Sequence, residues 1–303
     1  MWKIRTVLLT AVLVGGGRSP AGAQDLEPRA YAATPIRTTF LVLAAGRSSG
    51  GVFIDPSLPV EDVHATLGAA TVGLGHTFDL FSRTALIVGT MPYARGTASG
   101  RIQESTREAT RTGWADARLK LSVNLVGGRA LRRGEFVKAP RAPIAGLSVT
   151  AVLPVGQYHR DRLVNLGSNR WAWKPEAGLS IPAGRWTIET YAGVWLFAAN
   201  DDFYPGGRRR EQDPIVALQQ HVSYTLRPRL WMAFDATWYS GGATTIDGTD
   251  RGDLQRNTRL GATMSCPIGA TQSLKVAYST GATTRIGGDF NTLALAWQIA
   301  WSR

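Results

Sequence analysis

Apolar and polar residues alternate along most of this sequence with a period of two. The stretch from Trp114 to Leu125 reads W-A-D-A-R-L-K-L-S-V-N-L, with Ala, Leu and Val at every second position and mostly charged or polar residues between them. Successive side chains of a β-strand point to opposite faces, whereas a helix would scatter these charges over its whole surface. The pattern therefore predicts a strand with one apolar face and one charged face.

The same alternation recurs in eight further segments, and the apolar faces of all nine strands carry no Asp, Glu, Lys or Arg. An Arg or Lys at the middle of a lipid bilayer costs about 2–4 kcal/mol. Contact with lipid would therefore exclude charged residues from the face that meets lipid and permit them on the other face. Three less regular strands bring the expected total to twelve. The eight further segments lie near 147–155, 171–181, 186–196, 216–226, 230–239, 257–266, 273–279 and 292–301, and the three less regular ones near 36–46, 64–78 and 83–94.

The segments between the strands are alternately short and long, which is typical of outer-membrane barrels with an even number of strands. We therefore predict an all-β fold, a closed antiparallel transmembrane β-barrel of about 12 strands with short periplasmic turns and long outer loops. The alternative is a secreted β-sandwich, but sandwich strands average about 5–6 residues and these strands are roughly twice as long. Short connections are expected near 79–83, 182–185, 227–229, 267–272 and 285–289, and long ones near 47–62, 97–111, 157–169, 199–213 and 241–255.

Two further features agree with a barrel. Tryptophans fall at or near strand ends, as expected for an aromatic girdle at the membrane interfaces. The segment 127–143 is too long for a tight turn and is expected to hold a short helix on the periplasmic side. The girdle tryptophans are Trp171, Trp173, Trp186, Trp238 and Trp301.

The first 23 residues have the pattern of a secretory signal. Lys3 and Arg5 precede a short apolar run at 7–14, and the small residues 21–23 form a cleavage site. We expect residues 1–23 to be a cleaved signal peptide and residues 24–303 to form a single barrel domain in the bacterial outer membrane. The stretch 24–35 is too short to be an energy-coupling plug domain.

The composition limits the class of protein without naming a substrate. The chain has 303 residues, 44% of them hydrophobic, which is too many for a disordered chain. Its one cysteine, Cys266, excludes a disulfide scaffold, and this thiol is expected to be buried or in contact with lipid.

The polar faces of the strands carry charges of both signs together with large aromatic residues, and these faces would point into the barrel. They could line a polar pore that sorts solutes by charge, or pair with one another inside a filled barrel. The inward aromatic residues, including Phe197 and Trp231, could likewise form an apolar slide or fill the lumen. The lumen-lining candidates are Asp116, Arg118, Lys120, Lys174, Glu176, Glu189, Tyr191, Trp195, His221, Asp235, Tyr239, Arg259 and Lys275.

Enzyme and metal chemistry have little support in the sequence. His221, Ser223 and Asp235 lie on inward faces of neighbouring strands and could form a hydrolase trio, but twelve strands supply many accidental trios. The segment 247–253 is rich in Asp and could bind calcium, although its spacing does not match an EF-hand and a solvated turn fits it as well. We assign no catalytic residue, metal or cofactor.

The net charge of +12 points to an anionic partner. Because the chain is expected to be exported, lipopolysaccharide phosphates and outer-membrane lipid are favoured over nucleic acid. A monomer is the expected state. The basic residues that fall in predicted loops are Arg101, Arg107, Arg111, Arg160, Arg162, Arg208, Arg209 and Arg210.

Several short segments of the sequence resemble the outer-membrane transporter family named for the meta-pathway of phenol degradation. The resemblance runs through nearly all of the chain after residue 23. It implies an outer-membrane barrel and the uptake of aromatic or other hydrophobic compounds, and it brings no agreed catalytic or binding residues. The segments are LEPRAY at 26–31, DPSLPVEDV at 55–63, LVNLGSNRWAWKPEAGLS at 163–180, NDDF at 200–203, QDPI at 212–215, DLQRN at 253–257 and SLKVAYSTGATTRIGGDF at 273–290.

These observations together favour an outer-membrane channel or transporter for passive uptake of small-molecule solutes, with aromatic or hydrophobic compounds as candidates. The alternatives are a closed structural or surface-binding barrel without conductance and, third, a barrel hydrolase that uses His221. Because loops carry function more often than the scaffold does, we expect the loops at 55–62, 163–170 and 200–213 to fold together over the mouth.

Overall fold

The computed structural model describes residues 27–53, 61–102 and 105–302, and almost all of this part is β-structure. The predicted signal peptide, the boundary at residue 23 and most of the predicted loop at 55–62 lie outside the described residues. No helix in the described part is long and apolar enough to cross a membrane.

Seventeen strands and one short helix make up the described chain, and we number them in chain order. Four of the strands, β9, β10, β13 and β14, lie in long connections. The strands are β1 Thr38–Phe53, β2 Glu61–Leu80, β3 Arg83–Ile102, β4 Ser105–Trp114, β5 Ala117–Val126, β6 Ile144–Leu153, β7 Ala172–Ala183, β8 Trp186–Phe197, β9 Asn200–Phe203, β10 Arg208–Gln212, β11 Ile215–Arg227, β12 Leu230–Gly241, β13 Thr244–Ile246, β14 Thr249–Asp250, β15 Gln255–Ile268, β16 Gln272–Thr284 and β17 Gly287–Ser302; the helix α1 spans Arg133–Phe136.

The main sheet closes on itself as a twelve-stranded antiparallel barrel, which confirms the predicted fold class. The first and last strands meet along a continuous seam that runs from the pair Thr38–Ser302 to the pair Phe53–Gly287. β3 pairs with β4 over one half of its length and with β5 over the other half, so β4 and β5 together count as one interrupted strand. Apart from β4, which pairs with β3 alone among the described strands, closure gives the strands of the wall partners on both sides, as a sheet in hydrocarbon requires.

The start of β1, the end of β17 and the short turns after β2, β7, β11 and β15 lie at one end of the barrel, which we call the turn end. The opposite end, the loop end, carries the long connections and the short turn between β16 and β17. The helix α1 lies in the connection between β5 and β6 at the turn end, so the predicted short helix in 127–143 is confirmed.

The outer surface is apolar, as the alternation predicts. On β12, Met232, Phe234 and Trp238 are exposed, while the residues between them are largely buried inside. The five predicted girdle tryptophans all face outward, with 38–51% of their surface exposed. Cys266 is half-buried and shares the outward face of β15 with Met264. A closed cylinder with this surface is suited to hydrocarbon rather than water.

Two predicted long connections are partly strand. In the segment 47–62, β1 continues to Phe53 and β2 begins at Glu61. The segment 97–111 was expected to be a long connection, but outside the undescribed residues 103–104 it forms the tall hairpin of β3 and β4. The hydroxyls of Thr97 and Thr110 lie 2.9 Å apart across it, and Arg101 forms a salt bridge with Asp62 of β2. Above a bilayer both faces of a hairpin meet water, so its strands need no apolar face and the period of two gives no signal.

Three long connections pack together at the loop end. β9, β10, β13 and β14 form a second, four-stranded sheet that joins the connection between β8 and β11 to the connection between β12 and β15. Leu163, Phe203 and Ile246 form its small buried core. The expected association of 163–170 with 200–213 is therefore present, and 242–254 joins them.

We predict that a charge on the outer face of the barrel destabilises it according to depth. Phe234→Arg places a cation in the middle of the apolar face and should lower the free energy of unfolding by about 2–4 kcal/mol, whereas Leu226→Arg at a strand end should cost about 0–1 kcal/mol. Denaturant unfolding in lipid vesicles, followed by tryptophan fluorescence, measures both. Equal losses for the two variants would contradict a lipid-facing surface.

Candidate functional site

The segment before the first strand lies inside the barrel. Residues 27–36, which we call the inner segment, run from within the lumen to the turn end, where they join β1. At that end the amide of Ile36 donates to the carbonyl of Leu131, and the Thr77 hydroxyl donates to the carbonyl of Pro35 at 2.7 Å. The inner segment occupies lumen space, a role that its sequence does not predict.

Tyr31 fixes the middle of the inner segment to the barrel wall. Its ring is 1% exposed, and its hydroxyl lies 2.9 Å from the Ser148 hydroxyl on β6. Gly146 and Gly178 leave room for the ring, because a Cβ built at Gly178 would come within 2.1 Å of a ring carbon of Tyr31 and one at Gly146 within 2.6 Å. Two neighbouring strands thus lack side chains where the tyrosine docks. Tyr191 closes the socket edge-on, with ring centroids 5.0 Å apart.

Arg29 fixes the other side of the inner segment. Its backbone N–H donates to Glu189 at 2.7 Å, and its guanidinium donates to the hydroxyls of Ser223 and Thr225 at 3.1 and 2.8 Å. The guanidinium also lies over the ring of Trp231, 4.5 Å from its centroid. Hydrogen bonds to charged groups contribute about 1.5–3 kcal/mol each, so Arg29 is a strong anchor.

A cavity of about 300 Å³ remains between the inner segment and the wall. Six of the thirteen lumen candidates line it, together with residues of the inner segment and the apolar side chains of Leu86 and Val88 on β3. These six candidates are Arg118, Lys120, Lys174, Glu176, Tyr191 and Lys275.

Charges on the cavity wall form a linked network. Glu176 pairs with Lys174 and lies 3.9 Å from the Lys120 ammonium, while Lys120 also forms a 3.1 Å salt bridge with Glu27 of the inner segment. Because Lys120 is so close, the pKa of the Glu27 carboxyl lies well below its usual range. The Lys174 ammonium also lies 5.7 Å from the centroid of the Trp195 ring. The cavity therefore combines a network of charges with the apolar side chains of Leu86 and Val88, which lie beside Ser122 and Lys120.

The other seven candidates are packed, each 7% exposed or less, and do not line the cavity. Four of them, Asp116, Trp195, Tyr239 and Arg259, lie toward the loop end. Trp195 and Tyr239 form a buried cluster with Ile215, and the Arg259 guanidinium donates to the carbonyl of Phe290 at 2.7 Å. At Trp195 and Tyr239 the aromatic residues therefore fill the lumen and do not form an open slide. The seven are Asp116, Glu189, Trp195, His221, Asp235, Tyr239 and Arg259.

The proposed hydrolase trio is not an open catalytic site. Nδ1 of His221 lies 2.7 Å from an Asp235 carboxylate oxygen, but His221, Ser223 and Asp235 are all 0% exposed. The Ser223 hydroxyl accepts a hydrogen bond from Arg29, and Asp235 also accepts one from Thr263. A nucleophile must be reachable by its substrate. The geometry therefore favours a packed network that supports the inner segment.

Asp116 links the wall to an outer connection. It lies at the break between β4 and β5, and its carboxylate accepts hydrogen bonds from the amides of Gly156 and Ser168 and from the Ser168 hydroxyl, at 2.6–3.0 Å. Asn200 reaches the same connection through Ser168 and Asn169. Asp116 is thus a loop anchor, because its oxygens already have partners.

The acidic run 247–253 also makes contacts within the loop end. Asp247 pairs with Arg208 at 2.7 Å, and this guanidinium lowers the pKa of the Asp247 carboxyl. Asp253 accepts from the amide and the hydroxyl of Thr244. Within residues 27–53, 61–102 and 105–302, no group of three or more His, Cys, Asp and Glu side chains is placed to hold a metal ion.

Several loop arginines connect the outer loops to one another. Arg208 pairs with Asp247, and Arg209 pairs with Asp201 and Glu211. Arg210 is buried against the ring of Phe203. These charges are therefore partly used in holding the loop end together.

The functional residues that sequence reasoning missed are those of the inner segment, above all Arg29 and Tyr31. The inner segment has no periodic pattern of apolar and polar residues. The alternation that predicts the strands of the wall therefore gives no prediction for this segment. The available signal was indirect, because the inward positions Gly146 and Gly178 on adjacent strands leave a gap that some other group must fill.

A closed apolar cylinder with a polar, partly filled lumen defines the outer-membrane type of β-barrel. Three solved structures share this fold. An outer membrane channel from Pseudomonas putida F1 has a TM-score of 0.79 at 23% identity, covering 91% of this chain and 100% of that chain. The transport unit of the autotransporter AIDA-I from Escherichia coli has a TM-score of 0.50 at 13% identity, covering 99% of this chain and 98% of that chain. The β domain of a Bordetella autotransporter has a TM-score of 0.50 at 11% identity, covering 88% of this chain and 100% of that chain.

The family model described as "Putative MetA-pathway of phenol degradation" matches residues 45–295. The protein therefore belongs to this family, which confirms the resemblance seen in its short segments. No curated protein matches this chain.

We predict that the inner segment undocks when its tyrosine socket is destroyed. Tyr31→Ala removes a buried aromatic ring, a change that costs about 3–5 kcal/mol for Phe or Trp in protein cores, and Gly178→Ala should expel the same ring. Both variants should speed hydrogen exchange at the amides of Arg29 and Ala30 by at least about tenfold, which corresponds to about 1.4 kcal/mol.

Gly89→Ala is the matched control, because a Cβ there meets nothing closer than 4.0 Å. In Gly89→Ala, hydrogen exchange at the amides of Arg29 and Ala30 should be as slow as in the unmodified protein. Unchanged protection in both Tyr31→Ala and Gly178→Ala would show that the tyrosine does not hold the segment.

Proposed function

We propose that this protein is an outer-membrane channel through which small molecules, aromatic or hydrophobic compounds among them, cross passively. The observation that carries the proposal is the cavity of about 300 Å³ inside a closed barrel, bounded on one side by a short segment instead of a fully packed interior. Pockets that hold small molecules have volumes from about 300 Å³ upward. The family description supports the aromatic part of the proposal.

The proposal places the barrel in the bacterial outer membrane after export by the signal peptide 1–23, as a monomer. The turn end then faces the periplasm and the loop end faces outward, in contact with lipopolysaccharide. Outer-membrane barrels have short periplasmic turns and long outer loops, which supports this orientation. Arg107 and Arg162 are exposed in the outer part and are available to lipid phosphates.

A closed structural barrel without conductance is the competing function. It is favoured by one observation, the docking of the inner segment through Arg29 and Tyr31 onto strands β6, β8 and β11. In a channel, solute passes the inner segment and crosses the barrel. In a closed structural barrel, the inner segment blocks that passage.

Planar-bilayer recording separates them. We expect the unmodified protein to conduct weakly and the double variant Arg29→Ala, Tyr31→Ala to conduct severalfold more, because both anchors of the inner segment are lost. Arg133→Ala, in the exposed helix α1, is the control and should conduct like the unmodified protein. Correctly folded barrels that show no channel events in either the unmodified protein or the double variant would reject the channel and favour the structural barrel.

A further inference from the structure

The cavity wall carries an excess of positive charge. Five cationic side chains line it, against the carboxylates of Glu27 and Glu176. In a narrow space with low-dielectric walls, fixed charges focus the field and concentrate ions of the opposite sign. The cavity is therefore suited to an anion. The five cations belong to Arg29, Arg118, Lys120, Lys174 and Lys275.

The two carboxylates differ in how firmly they are held. Glu176 lies on the wall, with its side chain 4% exposed, and contacts Lys174, the Gln219 amide at 3.3 Å and the Tyr31 hydroxyl at 3.3 Å. Glu27 belongs to the inner segment, and its side chain is 57% exposed. Its salt bridge in the described residues is the one to Lys120, at 3.1 Å. Glu27 is thus the carboxylate that another anion could replace.

Lys275 supplies a cation without a carboxylate partner. Across the described ranges of the chain it forms no salt bridge within 4 Å, and its ammonium lies 5.8 Å from the centroid of the Trp231 ring. It lines the same cavity as Lys120. An incoming anion would therefore meet one lysine without a carboxylate partner and one whose nearer partner, Glu27 at 3.1 Å against Glu176 at 3.9 Å, belongs to the inner segment.

The cavity wall also carries apolar side chains next to its charges. Leu86 and Val88 of β3 line the cavity beside Ser122 and Lys120 of β5, and the ring of Tyr191 adds an aromatic surface. A ligand that matches both kinds of surface has an anionic head and an apolar or aromatic body. A neutral aromatic compound would match the apolar surface alone.

We propose, on the basis of the channel function above, that the solutes are small carboxylates with an apolar or aromatic body, and that Glu27 is a tethered carboxylate which they displace from Lys120. The displacement exchanges one charge-assisted N–H···O contact for another of the same kind. The tip of the inner segment is thereby released when a solute enters. A neutral compound offers no such exchange and leaves Glu27 paired.

Ion selectivity tests the charge of the site. In a potassium chloride gradient across a planar bilayer, the unmodified protein should prefer chloride to potassium. Lys275→Gln and Lys120→Gln should each lower that preference at least twofold, and Glu27→Gln should raise it at least twofold. Lys138→Gln, an exposed lysine that follows α1, is the matched control and should leave it unchanged.

Direct binding tests the solute class without relying on conductance. In isothermal titration of the detergent-solubilised protein, benzoate should bind and neutral benzyl alcohol should bind at least tenfold more weakly. The benzoate dissociation constant should rise at least fivefold in Lys120→Gln and Lys275→Gln and fall in Glu27→Gln, where the internal competitor is gone. The altered electrophoretic mobility of an unheated barrel shows that each variant has folded.

The outcomes separate the two proposals. Conductance with potassium selectivity, together with equal binding of benzoate and benzyl alcohol, overturns the carboxylate site and leaves the channel intact. Benzoate binding in the expected order of variants without conductance overturns the channel and retains the site. The absence of both conductance and benzoate binding overturns both.

Discussion

The architecture depends on one constraint, which is that hydrocarbon cannot satisfy the hydrogen-bonding groups of the backbone. Each strand of the wall must therefore find a partner on both sides, and the sixteen-residue strands β1 and β17 close the last gap. The same medium excludes ionised side chains, so the outer face is apolar. Charges on the inward faces, such as those of Lys174 and Glu176, must be hydrated or paired.

Closure creates a lumen, and the side chains of the wall fill only part of it. On the side of β8, β11, β12 and β15 the space is filled by buried polar and aromatic side chains. On the side of β3, β5, β6 and β7 the wall is lined more thinly, and the inner segment and the cavity share the remaining space. The lumen is thus divided into a part that is filled by side chains of the wall and a part that contains the inner segment and the cavity.

The period of two predicted the nine regularly alternating strands. It arises because each of these strands has lipid on one face and the polar lumen on the other, so successive residues must alternate between apolar and polar. The pattern weakens wherever that contrast is missing. The hairpin of β3 and β4 above the apolar band and the short strands β9, β10, β13 and β14 meet water or one another, so neither carried a readable alternation. The inner segment is irregular, and its place depends on a fit between Tyr31 and two glycines more than a hundred residues away. Such a fit cannot be read from local sequence.

The seam between the first and last strands has a consequence for assembly. β1 can pair with β17 only when the C-terminal strand is in place, so the cylinder cannot close before the end of the chain is present. Tyr31 likewise docks on residues 117 and 145 positions further along the chain. A chain cut short before β17 would keep two open edges in the membrane and expose backbone groups there, which makes its last strand a checkpoint for biogenesis.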